Sequence, residues 1–304
     1  MRILMAGASG MIGRALRAQL ETEGAEVRVL VRRPARAAAE YPWEGTVGTV
    51  PQAAVAWADA VASLGGAPIA RLPWTKAYRR EIMDSRVDSA SALAQAILRA
   101  DDPPKVWVSA SATGFYGDAA PTRADLQPEA LTESSPSGSG FLAAVVRAWE
   151  AAALPAASAT RLVRARTGMV LGRGEGTLKP LAAATRLGLG ARFGDGRQFW
   201  PWISLRDEVR AWAFALRDES IRGPVNLVGP TLATAGEVTG AVAHALRRPH
   251  RLAVPAGVLR AALDGAAEDL LLASQPVRPG VLEAHGFEFL DRTAPAAIRT
   301  VLAG

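Results

Sequence analysis

The chain has 304 residues, 49% hydrophobic and 21% charged, which is the composition of a globular protein able to bury one large core or a core with an appended lobe. Its 35 Lys and Arg outnumber 29 Asp and Glu, for a formal charge of +6, but the arginines are scattered among alanines rather than gathered in a block, which argues against a nucleic-acid surface. Cysteine is absent, so disulfides and thiolate chemistry are excluded, and His244, His250 and His285 lie too far apart in sequence to read as a metal-ligand set. No run of about 18 uncharged apolar residues occurs and no charged-then-apolar leader opens the chain, so the expectation is a cytoplasmic protein without a membrane partner.

The first thirteen residues carry the strongest signal. Arg2 to Ala6 reads as a short buried strand, and Gly7-Ala8-Ser9-Gly10-Met11-Ile12-Gly13 follows it into a segment of helical composition. In that order, Gly7 breaks the strand, Gly10 leaves room for a pyrophosphate against the backbone, and Gly13 allows close packing of helix on sheet. The free N–H groups at the helix start then face the phosphates. The helix predicted over Arg14 to Leu20 ends near Gly24, a residue suited to the position after a helix C-cap. A second strand, Glu26 to Val31, closes on Arg32-Arg33-Pro34. An NAD site places an acid near this strand end to hold the ribose 2′-hydroxyl, whereas two arginines fit a 2′-phosphate; solvated loop charges are the competing reading.

Residues 35–58 read as irregular, broken by Pro42, Gly45, Gly48 and Pro51. Ala60 to Leu64 is predicted as a strand, with the small-residue loop Gly65-Gly66-Ala67-Pro68-Ile69 beyond it letting a cofactor lie close to the backbone. Helical signals run from Trp74 to Leu98, and Pro103-Pro104 separates them from a strand starting at Lys105 to Ser109. A Ser/Pro/Gly loop, Thr132 to Gly140, leads to an apolar helix, Phe141 to Ala153, and Arg161 to Val170 reads as another strand. Beyond Gly172, glycine, proline and aromatics become frequent, and the tail from about Pro255 is helical in composition. This alternation predicts an α/β fold: a Rossmann-type doubly wound parallel sheet over residues 1–170, with later segments returning to it. Residues 171–304 form the expected substrate side, ending in a small, mainly helical lobe over about 255–304.

The Gly7/Gly10/Gly13 turn, the Gly65 to Ile69 loop, Ser85-Arg86-Val87 and Ser109-Ala110-Ser111-Ala112-Thr113-Gly114-Phe115-Tyr116-Gly117 together resemble the extended and atypical short-chain dehydrogenase/reductases. More narrowly, Trp200 to Asp207, Gly223 to Leu227 and the tail from Leu252 to Leu302 are similar to the epimerase family related to nucleoside-diphosphate-sugar epimerases. The resemblance implies NADP as cofactor, held by Gly7, Ser9, Gly10, Met11, Ile12, Gly13, Arg32, Arg33, Leu64, Gly65, Gly66, Arg86, Ser109, Ala110 and Gly168. It also implies a small-molecule substrate and a C-terminal lobe closing over it; nothing in the sequence decides between monomer and homodimer. Ser111 matches the superfamily's catalytic serine, though a local turn role suits it equally.

The Tyr-x-x-x-Lys pair of the larger superfamily is missing. The corresponding helix begins Phe141-Leu142-Ala143-Ala144-Val145, and neither Phe141 nor Val145 can exchange a proton. Tyr41, Tyr78 and Tyr116 have no lysine four residues on. Tyr116 is the candidate replacement acid, with packing beneath the site as its alternative. Arg166, at the strand end facing nicotinamide and substrate, suits an anionic substrate group or a structural carboxylate. Lys179, Trp200 and Trp202 are further substrate-side candidates; Lys179, like Arg192, also suits a surface charge, and a tryptophan pair is more often core than binding surface. Two readings stay open: an NADP(H)-dependent oxidoreductase or epimerase acting on a small carbonyl or sugar-like compound, and a non-catalytic NADP-binding regulatory protein.

Overall fold

The computed structural model describes residues 1–46, 49–119 and 129–303. Seven parallel strands form the main sheet: β1 (Arg2–Ala6), β2 (Glu26–Val31), β3 (Glu40–Pro42), β4 (Ala60–Ser63), β5 (Val106–Ala112), β6 (Arg161–Thr167) and β10 (Gly223–Leu227), in spatial order β10-β6-β5-β4-β1-β2-β3. The order reverses at β1 and β4. Phosphate-bearing ligands bind at the C-terminal ends of strands flanking such a switch point. Ile3 to Ala6 and Ala60 to Ala62 are almost wholly buried, as expected of central parallel strands covered on both faces.

One face is covered by α1 (Met11–Thr22) and α6 (Leu205–Arg217), the other by α2 (Gln52–Trp57), α3 (Lys76–Leu98) and α4 (Phe141–Ala153). Leu16 and Leu20, one turn apart on α1, point into the first core. That helix stops at Gly24, which takes φ +82° while the Ala25 N–H reaches back to the Leu20 carbonyl, a Schellman ending at the predicted residue. The stretch Phe141–Ser158 is apolar and long enough by composition to cross a membrane. Yet α4 packs its Val146, Trp149 and Ala153 face inward and carries a buried carboxylate, Glu150, paired with arginines, as a core helix does.

Three expectations change. Residues 35–58 hold β3 and α2, the first too short to show a period and ending in Pro42, which an edge strand tolerates; Gly48 lies outside the described residues. The strand expected over Arg161 to Val170 breaks at Gly168, where β7 (Met169–Leu171) leaves the main sheet to pair with β9 (Trp202–Ser204). A Cβ on Gly168 would lie 2.5 Å from the Pro201 carbonyl oxygen, so the break requires glycine there. The tail also docks in pieces rather than as one lobe. α8 (Ala256–Leu263) and α9 (Gly265–Ala267) reach the cluster of Trp74, Tyr78 and Val145, while α10 (Gly280–Ala284) lies against β10 and α11 (Ala294–Ala303) against α7 (Ala235–Ala245). Between them, α5 (Leu178–Arg186) packs on α7, and β8 (Ala191–Phe193) pairs with β11 (Leu252–Val254).

Candidate functional site

A cleft of about 510 Å3 opens at the C-terminal ends of β1, β2 and β4. Gly7, Ala8 and Ser9 line it with Arg32, Arg33, Gly65, Gly66, Ser85 and Ser89. Each glycine of the fingerprint has a separate reason. Gly7 sits at φ +81° with its Cβ position 2.7 Å from the Leu64 carbonyl carbon, and a Cβ on Gly13 would strike the Gly7 oxygen at 2.2 Å. At Gly10 a Cβ would meet only the Gly7 oxygen, at 3.6 Å, so the protein leaves this side open. Gly10 is also the N-cap of α1, makes no side-chain cap and is followed by no acid in the first turn, which leaves the helix-start N–H groups available to a pyrophosphate. Met11 turns away to pack beneath Gly172 and Gly176, and Ile12 is part of the core edge. Leu64 extends β4 by donating its N–H to Ala6. A dinucleotide therefore fits the residues present.

The two arginines after β2 differ in state. Arg33 forms a two-pronged pair with Glu40 of β3, at 2.7 and 2.8 Å, and the Arg36 N–H adds a third donor at 2.6 Å. Its guanidinium and the Arg36 N–H pull the Glu40 carboxyl down to about 2. The expectation that both arginines serve a 2′-phosphate is corrected for Arg33, which is paired on both carboxylate oxygens with an acid seven residues on. Arg32 lines the cleft with no ion-pair partner among the described residues, leaving it as the cation available to a 2′-phosphate.

Arg86 lies behind the cleft wall rather than in it. Its guanidinium touches the underside of Gly66, donates to the Ile82 carbonyl at 3.0 Å and rests over the Trp149 ring at 5.3 Å. Burial without a carboxylate partner lowers its pKa to about 10. It supports the Gly65-Gly66 loop, while neighbouring Ser85 accepts from the Ala67 N–H at 3.0 Å. Ser109 and Ala110 sit inside β5, and Ser109 is buried. Gly168 is shaped by the Pro201 backbone already described.

The proposed catalytic residues converge on one another, in a place the sequence did not predict. Ser111 is buried and donates its hydroxyl hydrogen to Glu150 Oε1 at 2.6 Å. Arg166 grips the same carboxylate through Nε at 2.8 Å and Nη2 at 3.0 Å, and Arg164 adds a bond at 2.9 Å. The third Arg166 arm donates to the Tyr116 hydroxyl at 3.0 Å, and Tyr116 in turn donates to Asn226 Oδ1 at 2.7 Å. Burial pushes the Tyr116 phenol upward against the opposing pull of Arg166 and Asn226. Burial likewise works against the Arg166 charge, but the bonds to Glu150 outweigh it and raise the guanidinium further. None of these residues lines the cleft.

Of the two readings open for Tyr116 and for Arg166, the structural one holds over proton donor and substrate anchor: both are tied into a buried network around Glu150. For Trp200 and Trp202 the core reading holds over the substrate-wall one. Both are core, their ring N–H groups spent on the Leu271 and Thr231 carbonyls at 3.2 and 2.9 Å. Lys179 and Arg192 are exposed, and Lys179 faces a different cavity altogether.

Glu40, Glu150 and Asn226 were missed. A signal for Glu150 existed: Arg164 and Arg166 lie two apart on a central strand, so both point to one face, and two guanidiniums aimed into a core require a carboxylate. Glu208, missed too, is fully buried. Its Oε1 takes bonds from Thr167 at 2.8 Å and Trp212 at 2.9 Å while Oε2 has no partner, and burial pushes its pKa up to about 7.

A parallel doubly wound sheet with a glycine turn feeding a free helix N-terminus defines a dinucleotide-binding protein of the short-chain dehydrogenase/reductase type. The chain belongs to the NAD dependent epimerase/dehydratase family, which residues 3–229 match, and residues 254–301 match a domain of unknown function, DUF1731. It is 39% identical over 297 residues to an epimerase family protein of Mycobacterium leprae, covering 97% of this chain and 94% of that one. The crystal structure of the human epimerase family protein SDR39U1 (isoform 2) with NADPH superposes with a TM-score of 0.88 at 32% identity, covering 100% of this chain and 99% of the other. A nucleoside-diphosphate sugar epimerase from Corynebacterium glutamicum gives 0.80 at 31% identity, covering 99% of this chain and 58% of that one.

Proposed function

We propose that this chain is an NADP(H)-binding protein whose superfamily-type serine and tyrosine serve structure rather than proton transfer. The observation that carries the reading is the Ser111–Glu150–Arg166–Tyr116–Asn226 chain, in which both hydroxyl hydrogens are already donated to buried acceptors. Phe141 and Val145 add nothing that titrates. NADP is favoured over NAD by Arg32 in the cleft, which has no ion-pair partner among the described residues, and by the relative that carries NADPH. When bound, the cofactor would bring a nicotinamide able to exchange hydride. Gly10 and the α1 N-terminus hold its pyrophosphate, and Arg32 its 2′-phosphate.

A reductase or epimerase acting on a small carbonyl or sugar-like substrate is the second reading, favoured by the family match. In this geometry its proton comes from water or from the substrate, since Ser111 and Tyr116 are committed elsewhere. Calorimetric titration with NADPH, NADP and NAD, followed by NADPH-consumption assays on carbonyl and sugar-nucleotide panels, separates the two. Saturable NADPH binding with no turnover supports the first reading. Turnover that falls in Tyr116→Phe at unchanged stability would overturn it.

A further inference from the structure

Away from the nucleotide cleft, α5 and the end of α11 enclose a cavity of about 320 Å3. Arg173, Lys179 and Arg186 stand around it, and among the described residues no acid lines it. None of the three cations pairs with another described residue. The acid nearest to Arg173 in sequence, Glu175, is held by Arg14 of α1. The floor is apolar: Leu178 is 1% exposed, and Val301 and Leu302 supply the facing wall. Lys179 and Arg186 are seven residues apart, which puts them on one face of α5 with about 10 Å between them along the axis.

Three like charges around an apolar concavity repel one another and leave that apolar surface in water. A ligand carrying both an anionic head and an apolar body relieves both costs, whereas an inorganic anion would leave the floor uncovered. A nucleotide is disfavoured because, among the described residues, no aromatic side chain lines the cavity to stack on a base. The volume is near the lower end of the range of about 300–1,000 Å3 for small-molecule sites. We propose that this cavity is a second ligand site, independent of the dinucleotide, for a small amphiphilic anion. A carboxylate or phosphate monoester sits among Arg173, Lys179 and Arg186, with its short apolar body on Leu178, Val301 and Leu302.

The test is calorimetric titration of the full chain with decanoate below its micellar concentration, and with inorganic phosphate at matched ionic strength, each with and without NADPH. The expected result is one saturable decanoate site per chain, indifferent to NADPH, with phosphate binding far more weakly. Lys179→Glu and Arg186→Glu should each weaken decanoate by about tenfold, the effect of losing one charge-assisted contact. Both side chains are exposed, so unchanged melting curves will confirm folded variants. Displacement of decanoate by NADPH, several molecules bound per chain, phosphate binding as tightly as decanoate, absence of saturable binding, or equal affinity in a Lys179→Glu/Arg186→Glu double variant would each overturn the site. Failure of NADPH to bind would bear on the cofactor reading alone.

Discussion

Ser111 donates its hydroxyl hydrogen to Glu150 at 2.6 Å, on a carboxylate that Arg166 already grips on both oxygens. The position that resembles a catalytic serine is thus one of four donors saturating a buried acid that ties α4 to β5 and β6. Breaking a buried ion pair by removing one partner strands the other charge, at a cost of about 3–5 kcal/mol. Glu150→Ala is therefore expected to destabilise the fold by that amount, and Ser111→Ala by about 1.5–3 kcal/mol, the value of a hydrogen bond to a charged group. Chemical denaturation measures both. A Ser111→Ala variant as stable as the parent would show that the serine is free for other work.

Cofactor preference tests the division of labour between Arg32 and Arg33. Arg32→Ala alone should remove most of the NADP preference, weakening NADP by about tenfold or more while leaving NAD nearly unchanged. Arg33→Ala should act differently, because it frees the Glu40 carboxylate beside the same strand end. That charge repels a 2′-phosphate, so NADP affinity should again fall, and restoring neutrality in Arg33→Ala/Glu40→Gln should recover part of it. The idea fails if Arg32→Ala leaves the ratio of the two dissociation constants where it was.

How far the sequence could be read depended on the distance over which each signal acted. The Gly7/Gly10/Gly13 turn, the central strands and the Gly24 helix end were legible because each rests on contacts within a few residues or on steady periodicity. The Arg33–Glu40 pair was not, since β3 has three residues and only its register beside β2 brings Glu40 under Arg33. Tyr116 and Arg166 were picked as chemical groups from their places at strand ends. Their partners, Asn226 on β10 and Glu150 on α4, come from distant segments, and what satisfies them is decided by tertiary packing. Trp200 and Trp202 were legible as core by residue type, but not the backbone acceptors near 271 and 231 that their ring N–H groups find.

One of the tail's contacts with the main domain runs through a helix end. Asp269 accepts a hydrogen bond from the Leu142 N–H, capping α4 where Gly140 supplies no side chain, and burial raises its carboxyl pKa. Leu270 joins the neighbouring cluster with Trp74 and Tyr78. Asp269→Ala should cost about 0.5–2 kcal/mol, as loss of an N-cap does. Hydrogen exchange should quicken in residues 264–272 and the first turn of α4 while β1 and β4 stay protected. Uniform exchange throughout the chain would mean that the contact does not latch the tail.

Glu208 makes stability depend on pH in a predictable direction. Its carboxyl is buried with one unpartnered oxygen and no cation beside it, and desolvation raises its pKa from 4.5 to about 7. The folded protein therefore holds this proton more tightly than the unfolded chain does. The advantage is complete below the unfolded value and is lost as pH rises through about 7, where the charged form must be tolerated next to Thr167 and Trp212. The change amounts to about 3 kcal/mol across that window. Glu208→Gln keeps the acceptor for Thr167 and Trp212 but cannot ionise. Denaturation midpoints at about pH 5 and about pH 8 should differ less in this variant than in the parent, and the parent-minus-variant comparison cancels the pH dependence that the two proteins share. Parallel pH profiles for the two proteins would show that Glu208 does not change its protonation across this range.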